Sequence, residues 1–88
     1  MNIVDYQNEI KHLLDIVKGQ LNGINKMLDE GVYCIDISNQ LLASIALLKK
    51  ANVILLDQHL KHCVLNAPTT EEREEKLEEI SKVISKVM

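Results

Sequence analysis

Three side chains in this 88-residue sequence could together hold a soft metal ion: Cys34, His59 and Cys63. The two cysteines are the only ones in the chain. His59 and Cys63 stand four positions apart, so on an α-helix they share a face. Between Val32 and Asn66 there is neither Gly nor Pro, and the pattern predicts one unbroken helix. A helix rises about 1.5 Å per residue, which puts Cys34 roughly 37 Å from His59. One helix cannot bring the three side chains together. Two copies packed antiparallel can, because the start of one helix then lies beside the end of the other. Joint chemistry of these residues is therefore expected only across a subunit interface.

Two thiolates and one imidazole make a soft, three-coordinate donor set, which selects Cu(I) over hard ions. Zinc would want a fourth ligand. His62 is the nearest candidate, but it is turned about 100° from Cys63 around the helix. Cys34 sits at the helix N-terminus, where the dipole favours negative charge. Against this stands the plainer reading that a helical cysteine is a small buried hydrophobe. The His59-to-Cys63 spacing alone does not choose between the two. No nucleophile–base pair set in a pocket is recognisable, and His12 reads as a helix-surface residue, so no enzyme is expected.

The elements that must carry these side chains are helices. Ile3, Tyr6, Ile10, Leu13, Leu14, Val17, Leu21, Ile24 and Leu28 recur at helical spacing and predict a first helix over about 3–29. Gly19 and Gly23 make a flat spot on it, suited to a close helix–helix contact. Gly31 suits a left-handed C-terminal cap. The second helix, about 33–66, is apolar nearly all round: Leu41, Leu42, Ile45, Leu48, Ile54, Leu55, Leu56 and Leu60 cover most of its circumference. A helix of that kind in so short a chain asks for partners. Asn66-Ala67-Pro68 ends it. The third helix, about 70–87, opens with Thr69 as N-cap and Glu72 three positions on, a capping box. Leu77, Ile80, Val83, Ile84 and Val87 form its apolar stripe. The whole, residues 1–88, reads as one small all-α domain.

Composition narrows the function. Lys and Arg number 10 against 13 Asp and Glu, for a net charge of −3, and Arg73 is the one arginine. A typical nucleic-acid binder shows a strongly basic face, which this balance does not supply. The first residues lack the basic and apolar regions of a signal peptide. The apolar runs are interrupted by Lys and Asp too often for a membrane span. The expected location is the cytoplasm, where the cysteines stay reduced and ligand or redox roles outrank a disulfide.

The stretch Val32-Tyr33-Cys34-Ile35-Asp36-Ile37, then Gln40, then Leu55-Leu56-Asp57-Gln58-His59-Leu60-Lys61-His62-Cys63-Val64, resembles the CsoR/RcnR family of bacterial metal-sensing repressors. Lys18-Gly19-Gln20-Leu21-Asn22-Gly23-Ile24 looks like a variant of that family's Glu-Gly-Gln-Val-Arg-Gly-Ile stretch. The resemblance covers roughly residues 10–66 and implies a three-helix protomer, an antiparallel dimer and a disc-like homotetramer. The Cys…His-x-x-x-Cys pattern is that of the copper-sensing branch. It implies Cu(I) held by Cys34 of one protomer with His59 and Cys63 of the other. It further implies Tyr33 and Glu79 as residues just outside the ligands, although Glu78 is adjacent to Glu79. His59 argues against the persulfide-sensing branch, and Cys63 against the nickel/cobalt branch.

The resemblance implies a repressor that holds operator DNA when metal-free and releases it on Cu(I) binding. Leu13, Asp15, Ile16 and Asn22 stand where the family commonly carries basic residues. Lys49 and Lys50 match a basic position in the second helix, and with Lys18 they are the expected DNA contacts. The rival expectation is a metal- or thiol-handling oligomer, copper-buffering or sulfur-sensing, that has lost DNA binding.

Overall fold

A computed structural model describes residues 3–87, less the side chains of Ile3, Val4 and Val87. Met1, Asn2 and Met88, the ends of the expected domain, lie outside the described residues. Three α-helices follow in order: α1 (Ile3–Asp29), α2 (Cys34–His59) and α3 (Thr70–Val87). A single π-helical turn, Leu60–Val64, follows α2 directly. The chain divides into two compact units, residues 1–51 and 52–88.

In the first unit α1 buries Leu13, Val17 and Ile24, and the part of α2 up to Ala51 buries Ile37 and Ala51. Leu13, Val17, Gln20 and Ile24 recur at helical spacing along one stripe. Gln20 joins the two helices: the Ser44 hydroxyl donates to its Oε1 at 2.8 Å, and Ser44 is itself buried. Gln20 and Ser44 stand at similar distances either side of Gly31, so the helices run antiparallel as a hairpin. Gly31 has φ 68°, the left-handed cap the sequence predicts, and it lets the chain turn back without a Cβ clash. Within the protomer no close contact is made at Gly19 and Gly23. A Cβ built at either glycine meets nothing within 4 Å, because both lie off the buried stripe.

In the second unit the end of α2, the π turn and α3 pack together, with α3 lying on the π turn and Val64 only 1% exposed. The capping expectation for α3 holds at its donor half: the Glu72 amide donates to Thr69 Oγ1 at 3.1 Å. The expectation of one α-helix over about 33–66 is corrected. The α-helix ends at His59, and the Leu65 amide reaches back to the Leu60 carbonyl at 3.1 Å, one residue further than an α-helical bond. The Asn66 side-chain amide supports the widened turn from beyond it, donating to the Lys61 and His62 carbonyls at 3.5 and 3.4 Å.

Within one protomer α2 stays largely uncovered. Leu41, Leu42, Ile45, Leu48, Val53 and Leu55 are all exposed. By length and composition Cys34–Val64 is apolar enough to cross a membrane, despite the charges on which the sequence expectation rested. A helix packed on other protein chains has the same properties. An exposed apolar surface this extensive marks an interaction face.

Candidate metal centre

Cys34 and His59 are the first and last residues of α2. The helix begins there because the Tyr33 carbonyl accepts from the amides of Asp36 and Ile37, at 3.0 and 3.2 Å, which makes Tyr33 the N-cap. The Cys34 thiol is free and exposed, and the Tyr33 ring beside it is 67% exposed. Cys63, also free and exposed, sits in the π turn. Its four-position separation from His59 is therefore spanned by a widened turn, not by α-helix.

His59 is the most enclosed of the three. With Leu55, Leu56, Glu79, Ile80 and Val83 it lines a mainly apolar cavity of about 340 Å³. From α3, Glu79 brings Oε2 to 3.7 Å from His59 Nε2. That is within ion-pair reach but longer than a hydrogen bond. Glu78 turns elsewhere and pairs with Lys82 at 3.7 Å. Glu79 is thus the carboxylate that faces His59. Nε2 is the ring nitrogen turned to the carboxylate, and Nδ1 is the one turned away from it. His62 is exposed, and only its carbonyl is engaged, by Asn66.

Among the described residues no group of three His, Cys, Asp or Glu side chains converges within one chain. Each protomer instead offers a donor at either end of α2. Soft thiols and an oriented imidazole fit Cu(I) by chemistry.

The expected DNA residues are all at the surface. Lys18 pairs with Asp15 at 3.8 Å, both well exposed. Lys49 and Lys50 are exposed, with no ion-pair partner among the described residues. Asp15, Ile16 and Asn22 are exposed as well. Leu13 is not: it is 6% exposed and belongs to the core, so it cannot present a lost DNA face.

Two residues escaped the sequence reading. Lys76 places Nζ 3.9 Å from the same Glu79 oxygen that faces His59. Its three-position spacing from Glu79 on α3 was the available signal. Gln58, next to His59, is 3% exposed, and its Oε1 has no hydrogen-bond partner in the protomer. A glutamine in an apolar helix gives no such signal.

Comparison with known proteins places these features in context. Residues 6–86 match the family model described as a metal-sensitive transcriptional repressor. The chain is 45% identical over 51 residues to the copper-sensing transcriptional repressor RicR of Mycobacterium tuberculosis, a match that takes in 58% of this chain and 53% of that protein. The chain thus spans about half the length of this relative. It is 32% identical over 80 residues to the copper-sensing transcriptional repressor CsoR of Bacillus subtilis, covering 91% of this chain and 79% of that one. The crystal structure of the copper-sensing repressor CsoR with Cu(I) from Geobacillus thermodenitrificans superposes with a TM-score of 0.81 at 34% identity. That superposition covers 98% of this chain and 88% of the other.

Proposed function

We propose that this chain, which belongs to the metal-sensitive transcriptional repressor family, is a copper(I)-responsive repressor that holds operator DNA when metal-free and releases it on binding Cu(I). One observation carries the copper reading. The His59 imidazole meets Glu79 through Nε2, so Nδ1 is left for a metal, on a helix whose opposite end carries a free thiol. In an antiparallel pair of α2 helices, Cys34 of one protomer and His59 with Cys63 of the other form a trigonal centre. Thiolates favour the monovalent, soft ion, and the imidazole completes the set. Tyr33 borders this centre, and Glu79 orients the imidazole.

The exposed apolar face of α2 is the surface that pairs protomers into dimers, and dimers into a tetramer. This also accounts for a helix apolar enough for a membrane in a protein that works in the cytoplasm. Lys18, Lys49 and Lys50 hold DNA phosphates. Copper and DNA then act against each other through the assembly, and the coupling is reciprocal: copper weakens DNA binding by the factor by which DNA weakens copper binding.

A second reading has its own support. Asp15 and Asn22 are exposed where the family pattern is basic, and Lys18 is already paired with Asp15. Such a surface suits a copper-buffering or sulfur-sensing oligomer without an operator. The two readings part in one experiment. Cu(I) added to a preformed complex with the DNA upstream of the chain's own gene releases that DNA in the repressor, and Zn(II) does not. A buffering oligomer binds Cu(I) at one ion per protomer and forms no such complex.

A further inference from the structure

The Glu79 carboxylate does not belong to His59 alone. Its Oε2 lies 3.7 Å from His59 Nε2 and 3.9 Å from Lys76 Nζ, so one oxygen stands between two competing donors and is at hydrogen-bond length from neither. Lys76 lies on the same helix as Glu79. It sits one helical turn before Glu79 on α3, and at 40% side-chain exposure it is the least exposed lysine among the ion pairs of the chain's described residues. The neighbouring carboxylate, Glu78, has Lys82 to itself and does not enter the competition.

We propose that Lys76 is a positioning residue that sets how firmly Glu79 engages the His59 imidazole. This inference rests on the reading of His59 as a copper ligand. A carboxylate that accepts from one ring nitrogen fixes the tautomer and raises the donor strength of the other nitrogen. An ammonium on the same oxygen draws the carboxylate away and lowers its power as an acceptor. Lys76 therefore keeps the Glu79–His59 contact long in the metal-free protein. A metal on Nδ1 would make Nε2–H the stronger donor for the shared oxygen.

The test uses the full-length metal-free protein and needs no copper. Nitrogen-15 NMR of the imidazole at mildly alkaline pH reads the ratio of Nε2–H to Nδ1–H tautomers of His59. Lys76→Met keeps the stem and removes the charge. It should raise the Nε2–H to Nδ1–H ratio by up to about fivefold, the range to which an exposed ion pair converts. In a Glu79→Gln background the same substitution should change nothing, because Lys76 acts only through Glu79. An unchanged ratio in the Lys76→Met protein overturns the proposal. So does an equal shift with and without the Glu79 carboxylate, since that assigns the effect to the bare charge. Failure of the copper reading shows separately, as absence of Cu(I) binding by the unaltered protein. If Lys76→Met impairs folding, Lys76→Gln is read in the same way.

Discussion

His59 Nε2 lies 3.7 Å from Glu79 Oε2, and this relationship joins the end of α2 to α3. It selects one carboxylate from a Glu-rich helix and one nitrogen from an imidazole. It follows that the two adjacent glutamates are not equivalent. Glu79→Gln should weaken Cu(I) binding about 10- to 100-fold, the usual cost of losing a ligand histidine's carboxylate partner. Glu78→Gln, which breaks only the surface pair with Lys82, should leave it within about twofold. Competition against a Cu(I) chelator measures both.

Ligand rank is open to X-ray absorption. Cys34→Ala or Cys63→Ala should abolish trigonal Cu(I) coordination. His59→Ala should leave two sulfurs in a nearly linear site that still binds copper but no longer signals. If one nitrogen and two sulfurs persist in His59→Ala, then another histidine is the ligand, with His62 the nearest in sequence.

The intersubunit arrangement is tested by mixing. Neither Cys34→Ala nor Cys63→Ala protein alone has a complete centre. In mixed dimers formed by subunit exchange, one of the two interfaces regains Cys34 from one chain and Cys63 from the other. Recovery of trigonal sites supports the antiparallel pairing, and no recovery after demonstrated exchange rules it out.

A partly buried hydrogen bond braces the hairpin of the first unit. Ser44→Ala leaves Gln20 Oε1 without its donor and should cost about 1 kcal/mol of stability. Urea denaturation reads this only at matched protomer concentration, because an assembling protein gains stability by mass action.

Most of the fold was legible in the sequence. The bounds of α1 and α3 followed from apolar periodicity and from Gly31 and Thr69, whose capping geometry the structure contains. The π turn was not legible. It needs no Gly or Pro, and it lies in a hydrogen-bond register, with α3 packed on it and Asn66 donating to it, that side-chain periodicity does not report. Leu13 illustrates a different limit. Alignment with a basic family position suggested a surface residue, yet its place in the stripe with Val17, Gln20 and Ile24 already marked it as core. Glu78 and Glu79 could not be separated by spacing, since the choice depends on how α3 lies against His59.

The lysine pair offers a test of the DNA face. Lys binds phosphate as a point charge without the bidentate geometry of Arg. Lys49→Ala with Lys50→Ala should remove most DNA binding and leave copper binding intact. The slope of log affinity against log salt should fall by about 0.9 for each phosphate that is no longer neutralised.

The central claim is tested most directly by fluorescence anisotropy of labelled DNA from upstream of the chain's own gene, titrated at low ionic strength with metal-free and with Cu(I)-loaded protein. The account predicts tight, salt-sensitive binding by the metal-free protein and at least tenfold weaker binding once one Cu(I) per protomer is bound, about 1.4 kcal/mol of coupling. Equal affinity in the two states, or no salt-sensitive binding by the metal-free protein, would contradict it.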